Sequence, residues 1–199
     1  MWETRLVQRI LEKQLIQPFA TRIIRVYNEW QLDYDMIRER YPSIEFDKEW
    51  RDDIFDSLSP NHRNILVLDD QMAVASSSKS VADFFTKGSH HRKLTVIYLM
   101  QNVYNQGKSQ KTISLNSHYS VVFRNGHDGS GSRTMAYQIC ISDGQWVVDA
   151  FTDATSKPYG YLILDHHPST PEDQTVVTNI FPREQLIYYI NSHTKVKRH

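Results

Sequence analysis

The chain carries 199 residues, with 23 basic against 23 acidic side chains, a formal net charge of zero and a 40% hydrophobic share. That composition describes one ordinary globular domain with room for a sizeable core, and it offers nucleic acid no global attraction, only local basic runs. The single cysteine, Cys140, excludes an internal disulfide and a cysteine-based zinc site. No apolar run is long enough for a bilayer, and Met1-Trp-Glu-Thr-Arg5 lacks the basic-then-apolar order of a signal peptide, so an intracellular, non-secreted protein with no membrane partner is expected.

Leu6, Val7, Ile10, Leu11 and Leu15 set an apolar stripe at helical spacing over Glu3 to Gln17, and Pro18 stops that helix. Ile23 to Tyr27, rich in β-branched residues, reads as a strand. A second helix is expected over Asp33 to Arg40, ended near Pro42, followed by a short strand at Ile44 to Phe46. Asp47 is expected to cap a helix running to Leu58, with Ser59 to His62 as the next turn. Ser76 to Lys79 opens a helix through Phe85 that ends at Gly88. Leu94 to Met100 is a strong strand, Gln106 to Lys111 a polar basic loop, His118 to Phe123 another strand and Arg124 to Asp128 a turn. Helices near Ser132 to Ile141 and Trp146 to Ala154 follow. Then come a strand at Tyr159 to Asp165, a final helix after Phe181-Pro182 and a basic tail over 194–199. Alternating strands and helices argue for an α/β fold with a mostly parallel sheet in one domain.

Asn64-Ile-Leu-Val-Leu-Asp-Asp70 is the stretch around which the rest is organised. Ile65 to Leu68 run without a polar break, the mark of a strand buried on both faces. Two carboxylates follow, at the strand end where an open parallel sheet holds its ligands. Four hydrophobic residues and two aspartates have the Walker B form. The first carboxylate would hold Mg²⁺ beside nucleotide phosphates and the second would polarise the attacking water. The same string fits a strand that ends in two solvated turn aspartates. Gln101 stands at the carboxyl end of the next strong strand, where an amide can donate to a γ-phosphate and accept from water, or satisfy backbone.

The run Phe84-Phe-Thr-Lys-Gly-Ser-His-His-Arg-Lys-Leu-Thr-Val-Ile-Tyr-Leu-Met-Gln-Asn102 resembles the segment around the third strand of FtsK/HerA-type packaging ATPases. The similarity is to the branch found in Maverick/Polinton elements and large DNA viruses, the poxvirus type included. Asn105 to Tyr119 and Pro158 to Asp165 resemble the Polinton form as well, in one collinear order over nearly the whole chain. The resemblance implies a RecA-like P-loop NTPase core with ATP and Mg²⁺ as cofactors. It implies a homo-oligomeric ring, double-stranded DNA and capsid proteins as partners, and a nuclear or viral-factory location. The activity implied is ATP-driven packaging of DNA. By residue, it implies Mg²⁺ at Asp69, water activation by Asp70 and γ-phosphate sensing by Gln101.

The chain departs from that pattern at its start, where no strand and no GxxxxGK[ST] loop precede the first helix. If Thr4 takes the nucleotide-binding hydroxyl position, Glu3 stands where the lysine belongs and Trp2 where a glycine belongs. An acid there repels phosphate, and tryptophan denies the close backbone approach glycine allows. Weak or absent ATP binding by this chain alone is therefore expected. Two further readings stand beside the ATPase: a non-hydrolysing truncated remnant of one, and a nucleic-acid-binding or oligomerisation module.

Arg92, just ahead of the Leu94 strand, would reach a neighbouring subunit's nucleotide in a ring and stabilise charge in transfer, or else be a solvated loop arginine. Lys108 and Lys111 would face a nucleic-acid backbone, or solvent. His90-His91 and His166-His167 are adjacent pairs. Neighbours on a strand point to opposite faces, and no third ligand stands at a known spacing, so neither pair reads as a zinc site.

Overall fold

The computed structural model describes residues 2–51, 53–69, 71, 81, 83–88, 93–100, 108–124, 144–184, 186–189 and 197–198. The chain divides into two compact units, essentially Glu3–Asn116 and Ser117–His199. The fold is α/β, and the two units build their sheets differently.

The first unit holds α1 (Trp2–Glu12), β1 (Arg22–Tyr27), α2 (Leu32–Arg40), β2 (Ile44–Lys48), α3 (Ile54–Ser57) and β3 (Asn64–Asp69). It continues with a π-helical turn at Phe84–Gly88, β4 (Leu94–Leu99) and α4 (Lys108–Leu115). Its four strands lie in the order β2-β1-β3-β4, and every pair is parallel. Side chains alternate across a strand, so the two faces separate by parity. Ile23, Ile65, Val67, Ile97 and Leu99 pack with Val7 and Leu11 of α1 and with Tyr34 and Ile37 of α2. Ile24, Val26, Leu66, Leu68, Leu94 and Val96 pack with Ile54, Leu58, Val81, Phe84 and Ile113 on the other face. Helical elements cover both faces, so β3 is buried along its whole length, as its unbroken apolar run predicts.

Three local expectations change. The first helix stops at Glu12, not Gln17. Gln14 turns left-handed (φ 49°), Leu15 N–H bonds back to Ile10 O at 3.0 Å, and Gln17 Nε2 donates to Gln14 O at 2.7 Å. Asp47 caps no helix, because β2 runs on to Lys48 in register with Tyr27 of β1 and Glu49 N–H extends the ladder to Tyr27 O. Among the described residues of that span, helix is left over Ile54–Ser57. The polar loop expected to reach Lys111 is helical from Lys108 onward, anchored by buried Ile113.

The second unit holds β5 (Tyr119–Phe123), α5 (Gly144–Ala154), β6 (Tyr161–Asp165), a 3-10 turn (Glu172–Gln174), β7 (Val176–Thr178), β8 (Leu186–Tyr189) and β9 (Lys197–Arg198). These strands pair in chain order and every pair is antiparallel, so the parallel sheet belongs to the first unit alone. Val147, Val148, Ala150 and Phe151 of α5 pack on Val122, Leu162, Leu164, Val176 and Tyr188. Gly160 is required where α5 returns to β6, since a Cβ there would fall 2.2 Å from Ala154 O. The helix expected after Pro182 is a turn followed by β8. Pairing with β7 satisfies its backbone, and buried Tyr188 donates its hydroxyl to Asp153 Oδ2 at 2.8 Å. Part of the basic tail, Lys197–Arg198, forms β9 on β8. The turn over 125–128, the helix over 132–141 and most of the helix expected from Ser76 lie outside the described residues.

Candidate functional site

The carboxyl end of the parallel sheet is built around a charged group that its strand would ordinarily exclude. Arg25 sits mid-strand in β1 and pairs with Val67, which puts it on the same sheet face as Val67 and Asp69. Both Arg25 and Asp69 are 2% exposed, and Arg25 Nη2 donates to Asp69 Oδ2. Tyr34, delivered by α2 and fully buried, donates its hydroxyl to the same oxygen at 2.5 Å. The guanidinium carbon lies 4.3 Å from the Tyr34 ring centroid, over its face. Burial first, and the hydrogen bond to Asp69 second, push the Tyr34 phenol well above its ordinary pKa, so it serves as a donor. The α2 helix places its acids in the first turn (Asp33, Asp35) and its bases in the last (Arg38, Arg40), which suits the helix dipole and steadies the element carrying Tyr34.

An aromatic wall closes this cluster. The Tyr34 ring meets Tyr27 at 5.7 Å, Trp30 at 5.5 Å and Phe46 at 5.7 Å between centroids. A dry surround strengthens the pair's attraction and raises the cost of leaving either charge alone. Gln71, 1% exposed, sends Nε2 to Asn28 Oδ1 at 3.3 Å and Asp69 O at 3.4 Å. Its Oε1 and Arg25 Nε have no partner among the described residues. Arg25, Tyr34 and Gln71 are absent from the sequence-derived candidates. One signal for them was in view: a charge inside the β-branched run Ile23-Ile-Arg-Val-Tyr27.

Of the sequence-derived candidates, Asp69 stands in the ion pair. Thr4 lies in the first turn of α1, 0% exposed, and neither its Oγ1 nor Glu3 Oε2 has a partner among the described residues. Lys108 and Lys111 belong to the first half of α4. Asp70, Arg92, Gln101 and the pair His90-His91 lie outside the described residues. The strands that lead to Asp70 and Gln101 are parallel neighbours, with Asp69 opposite Leu99.

Magnesium holds near-octahedral oxygen ligands at short range and keeps several waters. Asp69 Oδ2 already accepts from a guanidinium and a phenol in a space with almost no solvent access, and Arg25 brings a positive charge to the same oxygen. These residues do not fit Mg²⁺ as a ligand of Asp69. Among the described residues no group of three or more His, Cys, Asp or Glu side chains is disposed to hold a metal ion. The start of α1, with an acidic Glu3 beside a wholly buried Thr4, likewise offers poor ground for a phosphate.

In the second unit, Asp165 ends β6 half-exposed. It accepts from His167 N–H at 2.8 Å and from Thr170 Oγ1 at 2.9 Å. His167 Nδ1 meets Ser169 Oγ at 2.7 Å and His166 Nε2 meets Ser120 Oγ at 3.2 Å. Burial lowers the His166 pKa against the opposing pull of Asp165. This is a turn that satisfies its own polar groups. No family model, curated protein or solved structure matches the chain.

Proposed function

We propose that this chain is the core of an FtsK/HerA-type packaging ATPase, RecA-like in fold, which couples ATP hydrolysis to movement of double-stranded DNA. The observation that carries the reading is the pairing of β3 with β4. Two parallel neighbours end level, one running into Asp69-Asp70 and the other into Met100-Gln101. A base and an amide that follow these two strand ends in sequence would suit a nucleotide's attacking water and γ-phosphate. In this reading Asp70 activates water, Gln101 senses the γ-phosphate, and Arg92 acts on a neighbour's nucleotide in a homo-oligomeric ring. Lys108 and Lys111 attract the DNA backbone. Packaging into a capsid would set the cellular location at the nucleus or a viral factory.

One observation favours a second reading. Asp69 is committed to Arg25, and no GxxxxGK[ST] run stands in the sequence, so a non-hydrolysing relative that keeps the fold is the alternative. Titration of labelled ATP with Mg²⁺ separates the two. The 199-residue chain should bind ATP weakly and release no phosphate. A version with a strand and a GxxxxGKT loop fused ahead of Arg5 should gain both, and lose turnover but not binding on Asp70→Asn. A well-folded extended version that still binds no ATP would refute the ATPase reading.

A further inference from the structure

We propose that Arg25 is a resident cation at the end of β3: its guanidinium occupies the charge position a metal ion would take on Asp69, and fixes the backbone from which Asp70 follows. The inference rests on the buried cluster and stands whether or not the chain hydrolyses ATP. Three elements converge on one carboxylate oxygen: β1 through Arg25, β3 through Asp69 itself and α2 through Tyr34. Arg25 and Asp69 are 44 positions apart in sequence, so the contact closes the sheet across its two central strands. A carboxylate in a dry space needs a cation, and the Tyr34 hydroxyl is neutral, so among the described residues it is the Arg25 guanidinium that meets that need. A strand-terminal carboxylate meant for a divalent ion needs an open, wet side. Here that side is closed by Tyr34, and behind Tyr34 by Tyr27, Trp30 and Phe46. Arg25 is thus a positioning residue: it holds the end of β3 rather than touching a substrate.

The test uses the full chain and thermal melting, with Mn²⁺ and guanidinium ion as probes. Arg25→Ala should lower the melting temperature by about 10 °C or more, because it strands a buried charge. Millimolar guanidinium should restore part of that loss in Arg25→Ala and add nothing to the wild type. If Arg25→Ala does not fold, Arg25→Lys, which keeps the charge but not the fork, should melt below the wild type. Mn²⁺ should shift the wild type and the charge-free pair Arg25→Met/Asp69→Asn equally, since neither presents a metal-ready carboxylate at this position. The proposal is overturned if Mn²⁺ stabilises the wild type and not the charge-free pair, or if the Arg25 variants melt with the wild type.

Discussion

Asp69 closes β3 in one unit and Asp165 closes β6 in the other, each directly after four buried residues. Asp69 is sealed against a guanidinium and a phenol, whereas Asp165 stays half-exposed and accepts from a backbone N–H and a threonine hydroxyl of its own turn. The difference comes from what surrounds the strands. In the parallel sheet, helices cover both faces, so a carboxylate on β3 must find a cation on a neighbouring strand. In the antiparallel sheet the chain turns back at once through His166 to Thr170, and neutral donors from that turn suffice. A strand ending in aspartate therefore specifies neither a metal ligand nor a cap. Its cross-strand neighbour decides.

Substitutions that remove one partner at a time should separate the two sites. The largest effect belongs to Arg25→Met, which leaves Asp69 buried without its cation and should cost about 3–5 kcal/mol of stability in chemical denaturation of the first unit. Tyr34→Phe removes one donor and keeps the ring among Tyr27, Trp30 and Phe46, so it should cost about 1.5–3 kcal/mol, the range for a hydrogen bond to a charged group. Asp165→Asn should cost only about 0.5–1.5 kcal/mol, since an amide oxygen still accepts from His167 N–H or Thr170 and water reaches the site. If Asp165→Asn destabilised as much as Arg25→Met, the contrast between a sealed and an open strand end would be wrong.

The sequence made the centre of the first unit legible. Ile65 to Leu68 announced a doubly covered strand, and that strand lies in the middle of a parallel sheet with both faces packed. Segments whose state depends on remote pairing were harder. Asp47 has the chemistry of a cap, yet the β1 ladder holds it in a strand. Leu186 to Tyr189 follow a proline as a helix start would, yet β7 and β9 supply their strand partners. The partner of Asp69 was hidden for the same reason. Spacing links residues within one element, while Arg25 and Asp69 meet only once β1 and β3 have paired. Tyr34 stands in a short helix among charged residues with no polar pattern that marks it, and a buried tyrosine there reads as core.

The most direct test of the account is a double-mutant cycle on Arg25 and Asp69, measured by urea unfolding with Arg25→Met, Asp69→Leu and the pair. An ion pair sealed from water predicts heavy losses for each single variant and a double variant that recovers much of them, with a coupling of about 2 kcal/mol or more. Losses that simply add would contradict it, and would return Asp69 to the status of an unengaged carboxylate.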